Sequence, residues 1–346
     1  MALEYLLYDV FRDGPELNTH PADRRALRDA DNALELPPSE FRKLYRLSPD
    51  VANDVVAQLD NNLKGSRITA LSSEKQVLSA LRFYATGCYQ RPVGEQWGIS
   101  MSHSSVSRCV HRVTDAINSN LFFTKVKFPM TQIERQAAKE IFALAPSSFV
   151  GGTIGAIDCT HVSILGPKSH EEAYVNHHGY HSINVQMICD PNLKILNVNA
   201  RFPGARHDSY IWSSSAIRRV MQRSYENGNH MFLIGDSGYP LEPWLMTPLP
   251  NQPEATPKFR YNEALCKARN PIERLFGVLK GTRSKECSFM IPNSLVKLLT
   301  RAQCCTTCVW VSKHLSSTVL LQQPQLTIIL SIQIHHLPRQ KVFKND

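Results

Sequence analysis

Up to about residue 150, apolar positions along the chain recur at helical spacing; beyond it they alternate as in strands. Residues 1–65 read as a polar helical segment, in which "ELPPSEFRKLYRLSPDVANDVVAQL" supplies two short amphipathic stretches punctuated by proline. Over residues 66–120 the pattern is more specific. "SSEKQVLSALRFYATGC" places Val77, Leu78, Leu81 and Tyr84 at helical spacing, with Ser72 or Ser73 available as a cap. Gly87 and Pro92 interrupt, "VGEQWGIS" predicts a short helix and a turn at Gly98, and "SHSSVSRCVHRVTDAI" predicts a further helix. This order is the layout of a helix-turn-helix, which would set Ser104, Ser105, Ser107, Arg108 and Arg112 near a DNA groove or its phosphates. A plain helical bundle gives the same pattern. Residues 121–150 read as a helical connector.

Residues 151–281 predict an α/β domain with a mixed sheet. "GGTIGAIDCTHVSIL" alternates, with Ile154, Ala156, Asp158, Thr160 and Val162 on one face and Ile157, Cys159 and His161 on the other. "YHSINVQMICD" and "KILNVNARF" follow as strands, joined by a hairpin turn at "DPNL". "HDSYIWSSSAIRRVMQRSYE" reads as one amphipathic helix capped by Asp208 or His207, the crossover that a parallel pairing requires. It leads into "MFLIGD", an all-apolar strand expected to lie buried between neighbours. "RNPIERLFGVLK" then opens a helix, with Asn270 as N-cap and Pro271 at the first helical position.

Composition narrows the function classes only a little. The 346 residues are 42% hydrophobic and 20% charged, ordinary for a globular protein, and no stretch approaches the ~18 apolar residues of a membrane span. "MALEYLLYDVFRDGPE" lacks a basic region ahead of its apolar residues, which argues against a signal peptide. The nine cysteines keep no framework spacing, as expected in a reducing compartment, and the "CCTTC" cluster at Cys304, Cys305 and Cys308 lacks the second pair a zinc site needs. A net charge of +9 favours a polyanionic partner. Eight Lys or Arg residues against two acids, Glu263 and Glu273, fall between Lys258 and Lys285.

Three acids acquire structural addresses from this pattern: Asp158 within the first strand, Asp236 at the end of the buried strand, and Glu273 in the first turn of the late helix. Sites in open α/β sheets form outside the carboxyl ends of strands, where Asp236 falls. Hard carboxylate oxygens suit Mg²⁺ or Mn²⁺, and two such ions roughly 3.5–4 Å apart can activate a water for phosphodiester cleavage. Each acid also has a plain reading. Asp236 can make a turn, Asp158 can be a strand residue on an exposed face, and Glu273, three residues after Asn270, can complete a capping box. Asp208 reads equally as an N-cap, and His161, on the face away from Asp158, as a core residue.

Six ordered segments, "GAIDCTHV", "YVNHHGYHSINVQMICD", "RFPGARHDSYIW", "LIGDSGYP", "WLMTPL" and "RNPIERLFGVLK", resemble the PIF/Harbinger transposases and the nucleases derived from them, over roughly residues 70–281. The resemblance implies a ribonuclease-H-like fold and a metal-dependent DNA nuclease or transposase of the DDE type. It matches Asp158, Asp236 and Glu273 to the catalytic acids and adds Asp208 as a further metal ligand. On this reading Ser105, Arg108, Arg112, Arg274 and Lys280 contact DNA, a Myb-like protein is the partner, and the nucleus, with the cytoplasm beside it, is the location. A homo-oligomer is compatible with it. The departure is the tail, 282–346, where "AQCCTTCV" stands in place of the family's helix; a shift of reading frame after about Gly281 accounts for it. A chain that keeps the acids but only binds DNA or recruits a partner is the alternative that such a tail favours.

Overall fold

The computed structural model describes residues 21–281, apart from 31, 68, 69, 87–89, 97, 150 and 165. The tail with its frameshift reading, the N-terminal stretch and the break expected at Gly87 lie outside the described residues. Helices α1 (Pro21–Ala30), α2 (Pro38–Tyr45), α3 (Pro49–Leu63), α4 (Ser73–Thr86), α5 (Gln90–Gly94) and α6 (His103–Asn120) open the chain. Proline stands at the first position of α2 and α3, where its missing N–H has no intrahelical partner to lose. Helix α4 is buried on most of its circumference and sits centrally in a core built from Phe41, Leu59, Leu78, Leu81, Phe83, Val110 and Ile117. The short α5 between α4 and α6 follows the order read from the sequence, and Gly98 carries a positive φ of 72°. Two side chains, Gln76 Nε2 (3.1 Å) and Arg112 Nη2 (2.9 Å), donate to the Leu63 carbonyl that ends α3. Among the described residues no helix is long and apolar enough to cross a membrane.

Helices α7 (Phe122–Lys125) and α8 (Gln132–Ala143) connect to a five-stranded mixed sheet of β1 (Thr153–Ser163), β2 (Ser182–Cys189), β3 (Ile195–Pro203), β4 (Phe232–Ile234) and β5 (Leu245–Met246). Strand order is β3-β2-β1-β4-β5. The first three strands pair antiparallel, while β4 runs parallel to both β1 and β5. This is the arrangement of a ribonuclease-H-like core, and β4 is buried along its length as its unbroken apolar run requires. The Asp190 side chain closes the β2–β3 hairpin by accepting from the amides of Asn192 and Lys194.

Helices α9 (Asp208–Ser213) and α10 (Ala216–Glu226) carry the crossover from β3 to β4. The sequence predicts one helix here; it divides because Ser215 turns its hydroxyl onto the Ile217 amide and starts a second. Helix α11 (Pro257–Gly281) covers the opposite face, placing Ala268, Ile272, Leu275 and Phe276 against Ala156, Val185 and Met187. The predicted start at Asn270 is therefore corrected. Thr256, whose Oγ1 accepts from the Phe259 amide, precedes the true first turn, and Pro271 lies inside the helix. An interior proline costs about 3 kcal/mol, which burial of the flanking apolar residues offsets.

One face assignment on β1 also changes. Ile154 packs with Ile157 on the α10 side, because the β1–β4 register shifts between Thr153 and Gly155 and so flips the alternation. Just before α9, Gly204 lies so close to β2 that a Cβ would fall 2.2 Å from Ser182 Oγ and 2.7 Å and 2.8 Å from the Tyr174 and Ser182 carbonyl oxygens. Gly204→Ala is expected to destabilise the protein by roughly 1–3 kcal/mol. The shift of its urea midpoint against wild type measures this.

Candidate metal centre

The parallel β1–β4 register pairs Ala156 with Ile234, so Asp158 and Asp236 each emerge two residues further along adjacent strands. Asp208 arrives from the first turn of α9. One carboxylate oxygen from each of Asp158, Asp208 and Asp236 lies within 4.8 Å of the other two. All three side chains are half-buried.

Each carboxylate is held from behind. Asp158 Oδ1 accepts from the Cys159 amide (2.8 Å) and its Oδ2 from Arg269 Nη1 (2.8 Å). Asp236 Oδ1 accepts from the Gly238 amide (3.0 Å), so this residue makes the turn expected of it and joins the acidic group as well. Asp208 Oδ1 accepts from Asn184 Nδ2 (2.9 Å), whose other hydrogen bond goes to the Arg206 carbonyl. The N-cap reading of Asp208 does not hold: His207 occupies the cap, and its side chain makes no capping hydrogen bond.

Glu273 lies outside this group of three. It is exposed, in the fifth turn of α11 rather than the first, and Arg269 Nη2 donates to its Oε1 (2.7 Å). The capping-box reading falls with the displaced helix start. Arg269 thus joins Glu273 to Asp158, and its side chain is 14% exposed. Arg274 and Lys280 are exposed on the same helix, Lys280 close enough to Asp158 for the two charges to interact. In the helical region Arg108 is exposed and Ser105 takes part in the start of α6, its amide donating to Ser102 Oγ. Arg112 spends one donor on Leu63. His161 is half-buried and faces Ser182 Oγ (3.0 Å), with the His177 ring beside it, rather than sitting in the apolar core.

Two contributors escape a reading of the sequence alone. Asn184, buried in β2, gives no local signal. Arg269 stands four residues before Glu273, a spacing that pairs charges on a helix, but it becomes visible only once the helix is known to pass through Pro271.

Burial pushes the Asp158 carboxyl up to about 6; Arg269 and the Cys159 amide oppose the shift and the Asp236 charge adds to it. Asp236 is raised too, chiefly by burial, against the pull of Arg269. Three crowded, partly desolvated carboxylates with hard oxygen donors fit a divalent cation such as Mg²⁺ or Mn²⁺. Between the ordinary carboxyl pKa near 4 and about 6, the folded state holds a proton at Asp158 that the unfolded chain has released. This contribution to stability is fully present below that range and lost as pH rises through about 6. Asp158→Asn is expected to flatten the slope, as unfolding by urea at the two ends of the range would measure.

Comparison with known proteins agrees with this geometry. Residues 157–306 match a family described as DDE superfamily endonuclease, a span containing Asp158, Asp208, Asp236 and Glu273 and continuing past the described residues. "Putative nuclease HARBI1" of Bos taurus and of Homo sapiens are each 37% identical to the chain over 218 residues, covering 62% of this chain and 59% of theirs. "Protein ALP1-like" of Arabidopsis thaliana is 25% identical over 232 residues, 63% of this chain and 55% of its own. The chain thus spans less than two thirds of the length of these relatives. No solved structure matches it. Residues 157–306 of the chain are thus similar to the DDE superfamily endonucleases, and the chain is similar to proteins that bear the name of a nuclease.

Proposed function

We propose that this protein is a divalent-metal-dependent endonuclease that hydrolyses phosphodiester bonds in DNA. The observation that carries the proposal is the convergence of Asp158, Asp208 and Asp236 from three separate elements, within the residues that match a DDE superfamily endonuclease. Asp158, Asp208 and Asp236 would hold the metal, which when bound supplies a more acidic water and a Lewis acid for a phosphoryl oxygen. The protein's own contribution is placement. Cys159 N–H, Gly238 N–H and Asn184 Nδ2 fix the three carboxylates, so that little reorganisation accompanies loading. Arg274 and Lys280 supply positive charge on the exposed side of α11, where a phosphodiester backbone would approach. Arg108 and Arg112, both exposed on α6, would supply a second DNA contact. A Myb-like partner and a nuclear location belong to the same proposal and rest on the family resemblance.

The test is incubation of the purified chain with supercoiled plasmid in Mn²⁺ or Mg²⁺. Cleavage is expected with either ion, suppressed by EDTA and absent in Asp208→Asn. Equal cleavage by that variant would mean a contaminating nuclease or a different site.

A further inference from the structure

The loop joining β1 to β2 carries a group of rings that the metal centre does not use. His177, His178 and Tyr180 are all exposed, Tyr180 to 39%. The His178 and Tyr180 rings are parallel to within 5° with centroids 6.0 Å apart, and the His177 ring packs on His178 at 3.8 Å. The backbone beneath holds them. Asn176 is buried; its Oδ1 accepts from the amides of His178 (2.9 Å) and Tyr180 (3.4 Å), and its Nδ2 donates to Ser182 Oγ on β2 (2.9 Å). Gly179 supplies the positive φ of 80° that closes the turn. The Ala205 amide donates to the Ala173 carbonyl (3.0 Å) and ties the same loop to the chain just before α9. Rings fixed in this way lose little freedom when they are used in binding.

The rings stand at the rim of the acidic group. The His161 ring lies 5.4 Å from that of His177, and His161 is close enough to Asp208 for their charges to interact. Across the β1–β2 pairing His161 faces Asn184, the residue whose Nδ2 donates to Asp208. A DNA strand with a phosphodiester at the three aspartates would bring a neighbouring nucleotide to this turn. Phosphate is a poor match for it: no Lys or Arg occurs between Lys168 and Lys194, and the nearest fixed charges along the loop, Glu171 and Glu172, are acidic. The turn offers flat ring faces, which suit a base. A base inside a duplex has both faces covered by its neighbours, so only an unpaired or extruded one can stack here.

We propose that His178 and Tyr180 form a stacking platform for an unpaired base beside the phosphodiester held at the metal centre, so that the preferred substrate is DNA with an unpaired or distorted segment at the cut. The inference rests on the nuclease reading and names its substrate class.

The test compares binding of the full chain to a DNA duplex and to the same duplex with an unpaired 2-aminopurine, with Ca²⁺ in place of Mn²⁺ to limit cleavage. Contacts to the paired DNA are common to both probes, so their affinity ratio isolates the unpaired base. Wild type is expected to favour the second probe by at least about fivefold, the effect of stacking a single base, and to quench its fluorescence. His178→Ala and Tyr180→Ala are each expected to lose this preference. Both side chains are exposed, and Mn²⁺ affinity and binding of the fully paired duplex should stay at the wild-type level. His178→Phe and Tyr180→Phe keep a ring without its polar atoms and are expected to keep the preference. Equal affinity of wild type for the two probes, a preference intact in either alanine variant, or one lost in the phenylalanine variants as in alanine would each overturn the proposal. Binding of neither probe by folded wild type would instead overturn the nuclease reading beneath it.

Discussion

Asp236→Asn is expected to lower Mn²⁺ affinity by more than about 100-fold and to remove metal-dependent DNA cleavage, while the thermal midpoint of the metal-free protein holds or rises. The amide is nearly isosteric and keeps an oxygen for the Gly238 amide, so the turn after β4 survives. What disappears is one of three negative charges packed within 4.8 Å of one another, two of them with pKa values raised by burial and mutual repulsion. Losing a charge relieves the metal-free protein and deprives the ion of a hard anionic ligand. Titration calorimetry and a thermal melt on the same preparations separate the two effects. Wild-type affinity in Asp158→Asn, Asp208→Asn and Asp236→Asn alike would sink the metal reading, and a large drop in melting temperature would show that the carboxylate is structural.

Trp212→Ala should produce the largest loss of stability, roughly 3–5 kcal/mol. Trp212 is fully buried at the centre of the cluster between the sheet and α10, with Ile217, Met221 and Leu245 in the same cluster. Its Nε1 donates to Glu242 Oε2 (2.9 Å), and Arg218 holds the other oxygen of that carboxylate (2.6 Å). Truncation therefore opens a cavity and leaves a largely buried carboxylate short of a donor. The consequence reaches the site, because Trp212 anchors the helix whose first residue is Asp208. Urea unfolding gives the stability, and Mn²⁺ titration below the unfolding range gives the effect on the site. Trp212→Phe should retain much of the packing and lose chiefly the hydrogen bond. A loss below about 1 kcal/mol for the alanine variant would mean that α9 docks without this anchor.

Much of the fold was legible because its signals are local. The alternation in "GAIDCTHV", the Asp-Pro turn before β3 and the unbroken apolar run of "MFLI" each depend on residues adjacent in the chain. Where local signals competed, the reading failed in instructive ways. Asn270 and Pro271 are a sound helix start, yet α11 runs through them, because burying Ala268, Ile272, Leu275 and Phe276 on the sheet outweighs one lost backbone hydrogen bond. The three serines at 213–215 looked tolerable within one helix, but Ser215 can cap as easily as it can continue, and its hydroxyl takes the Ile217 amide. The shift on β1 that moves Ile154 to the other face leaves no trace in an alternating pattern.

By itself the sequence determined which side chains can do chemistry here and roughly where along the chain they stand: Asp158 in a strand, Asp236 past the end of another, Asp208 at a helix start. Only the tertiary structure decided which of them meet. The β1–β4 register sets Asp158 beside Asp236, Asn184 turns Asp208 toward both, and the rotation of α11 puts Arg269, not Glu273, against the group. The physical reason is that propensities and periodicities are properties of a few consecutive residues. Strand register and helix rotation are chosen by the packing of surfaces more than a hundred residues apart, as the Asp158–Arg269 contact illustrates.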